Sequence, residues 1–408
     1  MTDAPPILAG VPGTFPHSVF HQRHPLLIEQ VIAGRPYAPA QRAALHRLLT
    51  ESTGGVVEHL GTDAPDLPHW LAWGRQLWGC PWGEVPFLWA ESYFYRRLLE
   101  ATGYFGDGAW RGVDPFAPKK YAELDTPEVA AEMAALGQVS GAPVQTARRA
   151  LLDSALWGNQ ADLGFRLTAG LRRSGPAAGP AWLRSAAASG PDAAGPGTRT
   201  GLLADDSAAL WARLEAAQAP TVALIADNAG RELLPDLVLA DHLLDSGLAA
   251  RVVVYLKPQP YYVSDATMGD LLAVLRLLRG ASQPQARRIG ERLWEALSAD
   301  RLVPRTHEFF CAPLTYRELP ADLAAELAGV GMTILKGDLN YRRLVGDHYW
   351  PATTSFASLV DYFPSPVTAL RTIKCDVAVG MQDGQAERLD AADPSWRTSG
   401  DYAVIHCA

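Results

Sequence analysis

The chain has 408 residues, 48% of them hydrophobic, and a formal net charge of −8, enough apolar material for one large core or two ordinary ones. The acidic balance, without any Lys/Arg-rich run, argues against nucleic acid or an acidic membrane surface as partner and points to a small molecule. No apolar run approaches the roughly 18 residues of a membrane span, MTDAPPILAGVPGTFPHSVF lacks a basic leader region, and Cys80, Cys311, Cys375 and Cys407 form no C-x-x-C pair, so a cytoplasmic protein with reduced thiols is the expectation.

From about residue 24 to 170 the apolar residues recur at helical spacing, in LLIEQVIA, RAALHRLLTE, FLWAESYFYRRLLEATG, PEVAAEMAALG and TARRALLDSALWG. Pro25, Pro86 and Pro127 stand near the expected helix starts, where a missing N–H costs little. Residues 1–170 therefore read as an α-helical N-terminal domain. Residues 171–204 shift to Gly, Pro, Ala and Ser, too poor in large apolar groups to offset the entropy of ordering, and read as a linker or loop. Residues 205–408 alternate: strand TVALIAD, helix ELLPDLVLADHLLDSG, strand RVVVYL, helices TMGDLLAVLRLLRG and PQARRIGERLWEALSA, a short strand near THEFF, helix ADLAAELAG and strand MTILKGD. Short apolar runs separated by amphipathic helices indicate βαβ units, hence an α/β domain built on a mostly parallel sheet.

In open α/β sheets, ligands bind outside the carboxyl ends of the strands. The first apolar run ends in Asp227 and Asn228, and RVVVYL leads through KPQPYYVSDAT to Asp265, so two acidic groups reach one sheet rim. Two carboxylates and an amide oxygen suit a hard divalent cation such as Mg²⁺ or Mn²⁺, whereas no His or Cys cluster suits structural zinc. Turn chemistry at Asp227-Asn228 and a helix N-cap in SDAT account for the same residues without a ligand. A third tip, ILKGDLNYRRLVGD, adds Lys336, Gly337, Asp338, Asn340, Arg342 and Arg343. Glycine permits close backbone approach, and cations beside acidic groups fit a phosphate held between metal and protein. In LRTIKCD, Arg371, Thr372 and Lys374 combine guanidinium, hydroxyl and ammonium as an oxyanion clamp, although an exposed strand face explains Arg371 and Lys374 equally well. His21, His24 and His242 read as packed or solvent-exposed histidines, and the tryptophans mostly as core.

In order along the chain, DNAGRELLPDLVLADHLL, PYYVSDAT, KGDLNYRRLVGD and RTIK resemble signatures of the damage-control phosphatases, in the branch also described as protein-glutamate (acidic residue) O-methyltransferases. PFLWAESYFYRRLLE, LWGNQADL and PSWRTSGDYAVI extend the similarity over most of the chain. The resemblance implies a helical N-terminal region on a Rossmann-like α/β domain, and a divalent cation (Mn²⁺, Mg²⁺, Co²⁺ or Ni²⁺) on Asp227, Asn228 and Asp265. It makes Asp338, Leu339, Asn340, Tyr341 and Arg342 a substrate-binding loop and Lys374, of the RTxK signature, a phosphate ligand. The implied activity is hydrolysis of phosphomonoesters, fructose 1-phosphate and fructose 6-phosphate among them; no oligomeric state is implied. Glu91, Asn159 and Asp162 would then bind sugar hydroxyls, while from the residues alone an intrahelical pair with Arg97 or Tyr95 explains Glu91 and a helix-end turn explains the other two. Gly164 stands where the family has a serine, and VFHQRHP keeps Arg23 of the usual basic motif; these departures leave the metal ligands in place and bear on the substrate.

Phosphomonoester hydrolysis needs neutralised phosphoryl oxygens and a nucleophile held in line. With a cation as Lewis acid and Lys374 and Arg371 opposing the remaining charge, two routes stand: Asp338 as general base toward water, or Asp227 attacking phosphorus itself. Ranked second is a carboxyl methyltransferase using S-adenosylmethionine, for which DNAGRE offers the single Gly230 in place of a glycine-rich turn. Third is a non-catalytic protein that binds sugar phosphates.

Overall fold

Seven short runs rich in β-branched and other apolar residues pair into one sheet: β1 (Leu202–Asp205), β2 (Thr221–Ile225), β3 (Arg251–Leu256), β4 (Leu302–Thr306), β5 (Met332–Lys336), β6 (Val367–Thr372) and β7 (Ala403–Cys407). The computed structural model describes residues 4–61, 63–158 and 201–408. Strand order is β1-β7-β6-β5-β2-β3-β4, with every pairing parallel except β6 with β7. The fold is thus α/β with a mostly parallel sheet, as the alternating pattern predicts. From β2 the chain proceeds to β3 and β4 on one side, then crosses to β5 and β6 on the other. The connections diverge at the carboxyl ends of β2 and β5, the switch point where such folds bind ligands.

One expected strand is displaced. THEFF contributes only its threonine, at the end of β4; His307 Nδ1 then accepts from Phe309 N (3.0 Å) and turns the chain into a 3₁₀ segment, Glu308–Cys311. The strand proper contains Pro304, tolerated because β4 is the sheet edge. At the opposite edge β1 takes up the last residues of the stretch read as a linker.

The α-helices of the described residues, in chain order, are α1 (Phe15–Ser18), α2 (His24–Gly34), α3 (Pro39–Gly54), α4 (Leu67–Trp73), α5 (Phe87–Thr102), α6 (Ala117–Leu124), α7 (Pro127–Ser140), α8 (Val144–Trp157), α9 (Ser207–Ala216), α10 (Leu233–Asp245), α11 (Met268–Arg279), α12 (Pro284–Ser298), α13 (Ala321–Ala328), α14 (Gly337–Val345), α15 (Phe356–Val360) and α16 (Gln385–Ala392). Because strand side chains alternate, Ala223, Ile225, Val253 and Tyr255 face one core and Val222, Leu224, Val252 and Val254 the other. Helices α2, α3, α5 and α14 cover the first face and α7 to α12 the second, so the helical half shares both of its cores with the sheet. Each fully buried Val, Leu or Ile contributes roughly 1.5–3 kcal/mol. Between the two layers α6 passes over the carboxyl edge, against the loops that follow β2 and β3. No helix among the described residues is long and apolar enough to cross a membrane.

Two histidines are buried in this packing. His24 stacks on Phe94 with ring centroids 3.6 Å apart and no hydrogen bond to either nitrogen; burial, aided by Arg23, holds its pKa well below the ordinary histidine value. His406 bonds to Tyr341 Oη (2.9 Å), and burial with Arg371 pushes it down to about 4. Both are neutral in the fold, whereas the unfolded chain takes up their protons near about pH 6.5, so they withdraw stability as pH falls from there toward 4, by up to about 3 kcal/mol for His406. Chemical denaturation at pH 7 and pH 4.5 should therefore show His24→Phe losing less stability across the interval than the wild type; an equal loss would mean that His24 is not buried neutral.

Candidate functional site

Strand β2 ends at Ile225, and Asp227 and Asn228 occupy the turn that follows. The loop after β3 folds back onto them: Ala266 N donates to Asp227 O (2.8 Å) and Ala229 N to Ser264 O (2.6 Å), which sets Asn228 and Asp265 opposite each other as an antiparallel pair. That return path places Tyr262 and Val263 at φ 42° and 65°, left-handed values that cost on the order of 1–3 kcal/mol each and are rare for a β-branched residue. The Asn228 carboxamide donates to Asp227 Oδ2 (3.0 Å) and Glu232 Oε2 (2.8 Å) and accepts from Ser264 Oγ (2.5 Å). The two acidic tips, and the amide between them, are therefore brought together.

Five carboxylates, Asp227, Glu232, Asp236, Asp265 and Asp270, are buried here beside three buried ammonium groups, Lys120, Lys257 and Lys336. Lys336 Nζ reaches Ala155 O (2.5 Å), Glu232 Oε1 (3.2 Å) and Asp236 Oδ1 (2.9 Å); burial pulls its pKa down, but the two carboxylates outweigh it and hold the lysine above its usual value. Lys257 Nζ lies 3.3 Å from Asp265 Oδ2 but out of hydrogen-bond alignment, leaving that oxygen buried without a hydrogen bond. Burial, opposed by Lys257, raises Asp265 to about 6, and burial, opposed by Lys336, raises Asp236 to about 7. Asp227 is pushed well above the carboxylate range by burial and then by Glu232 and Asp265. The carboxylates outnumber the cations by two, and without another positive charge the fold accommodates that excess by binding protons.

At the β5 tip Gly337 adopts φ +83°, and a side chain there would put its Cβ 1.9 Å from Asp227 Oδ2. The close approach expected of this glycine is thus to a carboxylate of the chain itself. Asp338 Oδ1 accepts from Arg371 Nε (2.7 Å) and from Lys374 N (3.2 Å); burial is outweighed by Arg371 and Arg342, which hold its carboxyl below the usual range. Arg371 directs its other nitrogens to Val377 O and Cys375 Sγ, and so presents no free donor, whereas the hydroxyl of Thr372, buried in β6, has no hydrogen bond among the described residues.

Residues 339–343 lie in the packing beneath the tip. Leu339 is core; Asn340 donates to Ala226 O and Lys336 O and accepts from Tyr316 Oη; Tyr341 bonds to His406. Arg342 makes a two-pronged pair with Asp347 (2.8 and 2.9 Å) and a third bond to Glu91 Oε2 (3.2 Å), while Arg343 donates to Phe309 O and Leu314 O. Glu91 therefore pairs across the two halves of the chain, and Arg97 turns instead to Glu51. Asn159 and Asp162 lie outside the described residues. Lys374 differs from the other cations: its side chain is half-buried, its ammonium has no ion pair or hydrogen bond among the described residues, and its field reaches Asp227.

Residues 19–389 match the family described as "Damage-control phosphatase ARMT1-like domain". The chain belongs to this family. Proteins named "Damage-control phosphatase ARMT1" from Rattus norvegicus and Danio rerio are 32% and 31% identical over 343 and 348 residues, each alignment covering 79% of this chain and 74% and 73% of the relative. The Homo sapiens protein of that name is 36% identical over 215 residues, half of this chain. The crystal structure of a DUF89 family protein from Pyrococcus horikoshii has the same fold, with a TM-score of 0.50 over 96% of this chain and 98% of that one at 14% identity.

In this member of the damage-control phosphatase family the site also contains residues that reading the strand tips passes over. Glu232 reads as the start of a helix, yet its carboxylate faces Asn228 and Lys336. Lys257 opens the KPQPYYVSDAT stretch and Lys120 lies in APKKYAEL, and both are buried beside Asp265. Only Lys257, directly after the apolar run RVVVYL, carried a local signal; Lys120 and Glu232 stand in mixed polar stretches. Among the described residues no three His, Cys, Asp or Glu side chains are grouped to hold a metal ion; the donor set expected here is two carboxylates and an amide.

Gly337→Ala should lower the urea midpoint by the equivalent of more than about 1 kcal/mol, since it adds left-handed strain to a clash with Asp227. Gly137→Ala, at an exposed position of α7 with nothing within 4 Å, should instead stabilise by up to about 1 kcal/mol. Equal effects would show that the β5 tip does not approach Asp227 as closely as described.

Proposed function

We propose that the chain is a metal-dependent hydrolase of small phosphomonoesters, with Asp227, Asn228 and Asp265 holding a divalent cation (Mn²⁺, Mg²⁺, Co²⁺ or Ni²⁺) and Lys374 receiving the phosphate. The observation that carries this reading is the charge shortfall at the β2/β5 switch point, where the buried carboxylates exceed the buried ammonium groups by two and Asp265 Oδ2 has no hydrogen-bond partner. Hard oxygen donors in a carboxylate-rich corner fit a hard divalent ion. When bound, the cation supplies Lewis-acid charge for a phosphoryl oxygen and its attacking water.

The residues of the chain supply the rest. Lys374 offers a compact positive charge, unpaired among the described residues, the form in which lysine binds phosphate. Asp338 holds the turn that carries it, through the Lys374 N–H and Arg371. A carboxyl held below its usual pKa is a weak base, and Asp338 is already bonded to Arg371 and the Lys374 N–H, so Asp338 acts in positioning. Fructose 1-phosphate and fructose 6-phosphate are the substrates to try first, from the family resemblance.

Metal-stripped protein should release phosphate from these esters or from p-nitrophenyl phosphate only when Mn²⁺, Mg²⁺, Co²⁺ or Ni²⁺ is restored. Asp227→Asn and Asp265→Asn should each lower kcat/KM on the order of 100-fold or more. Lys374→Ala should raise KM by about ten- to hundredfold while Mn²⁺ binding is retained. Hydrolysis without metal would overturn the reading, as would methyl transfer from S-adenosylmethionine to protein carboxylates in the absence of any ester cleavage.

A further inference from the structure

Helix α6 reaches both acidic tips, yet the hydrolysis scheme assigns it no part. Lys120 on α6 is 2% exposed, and its ammonium has three acceptors: the main-chain oxygen of Asp265 (2.8 Å), Asp270 Oδ2 (3.0 Å) and Asp114 Oδ2 (3.0 Å). Asp270 in turn closes the first turn of α11, accepting from Thr267 N (2.9 Å) and Thr267 Oγ1 (2.7 Å). On the same side of α6, Glu123 lies against Gly230, where an added Cβ would come within 2.7 Å of Glu123 Oε2. One short helix from the N-terminal half thus touches the turn that carries Asp227 and the loop that carries Asp265.

The second of these contacts bears on a strained element. The loop it grips holds Tyr262 and Val263 in left-handed conformations, and such residues persist only where their surroundings over-determine them. Apart from its two ends on β3 and α11, the loop is tied to Asp227 and Ala229 by main-chain bonds, to Asn228 by the Ser264 hydroxyl, to Ser92 of α5 by the hydroxyls of Tyr261 and Tyr262, and to α6 by Lys120, which alone among these holds the main chain of Asp265 from the N-terminal half. A bond to the carbonyl of Asp265 constrains the backbone of that residue while leaving both of its carboxylate oxygens free for other partners.

We propose that Lys120 is a positioning residue for the metal centre: its bond to the Asp265 carbonyl fixes where the Asp265 carboxylate stands relative to Asp227, so that the helical half of the chain completes the centre. The inference rests on the assignment of a cation to Asp227, Asn228 and Asp265. Groups that orient metal ligands usually change metal affinity by about 10–100-fold, and an effect of that size is expected here.

The test compares four full-length variants. Lys120→Met leaves Asp270 buried without its cation, so the informative comparison is Lys120→Met/Asp270→Asn against Asp270→Asn alone, with Lys120→Arg as the conservative variant. Titration with Mn²⁺ alone, followed by loss of the free-ion electron paramagnetic resonance signal, should show the double variant binding at least about tenfold more weakly than Asp270→Asn, with Lys120→Arg recovering part of the affinity. In metal-free protein, hydrogen exchange at the amides of Lys257 and Ala266, which bond to Ala266 O and Asp227 O, should be faster in the double variant than in Asp270→Asn. Equal affinity, or equal exchange at those two amides, would overturn the proposal. If the wild type binds no Mn²⁺, the metal assignment fails, and faster exchange would then show that Lys120 holds the loop but positions no cation, which also overturns the proposal as stated.

Discussion

The whole arrangement depends on keeping the carboxylates of Asp227 and Asp265 in one buried corner against their mutual repulsion. At an effective dielectric of about 20, two like charges 4 Å apart repel by about 4 kcal/mol, before the cost of taking each out of water. The fold meets that cost with several local devices. Asn228 donates an N–H to Asp227, Lys257 stands beside Asp265, Lys336 draws Glu232 and Asp236 toward itself, and Gly337 lets a backbone turn approach where a side chain would collide. None of these supplies the last two positive charges, and on the metal reading it is this deficit, more than any single residue, that a cation would meet.

The basic residues around the corner divide by whether their charge is already engaged. Arg342 faces Asp347 with the planar fork that guanidinium forms well, and Arg371 is fixed by Asp338, Val377 and Cys375. A side chain so engaged orders the loops but is a poor partner for an incoming anion, which would have to break those bonds first. Lys374 carries the reverse properties, a half-buried side chain whose ammonium has no ion pair or hydrogen bond among the described residues, held at its base by Asp338. Signature residues that lie close together in the sequence therefore stand differently: Arg371 is held by its neighbours, and Lys374 is a half-buried charge without a partner among the described residues.

How much of this was legible in the sequence follows from the range of each interaction. Strands β2, β3 and β5 are central and apolar on both faces, so a bare run of Val, Ile and Leu marks them, and the ends of those runs place Asp227 and Gly337 at the rim. Strand β6 contains Arg371 and β7 contains His406, polar residues whose partners lie in other elements, and neither run marks itself as a strand. Partner choice is less legible still. Lys336 meets a carboxylate 104 positions away and Arg342 one 251 positions away, and no local pattern separates these from a lysine left free. The donors could be listed from the sequence; their engagement could be read only from the fold.

The backbone of the Asp265 loop adds a final constraint. Tyr262 and Val263 carry strain on the order of 1–3 kcal/mol each, and the crowded carboxylates add electrostatic cost to the same few residues. A ligand present at 100 times its dissociation constant stabilises the folded state by about 2.7 kcal/mol, which is comparable with that strain. On the metal reading, occupancy of the site and order in the loop are therefore of similar energetic weight, and each favours the other. Braces that act on the backbone, such as the main-chain pairing of Asn228 with Asp265, suit this balance better than further ion pairs would. They hold the loop in place without neutralising the carboxylates that the cation needs.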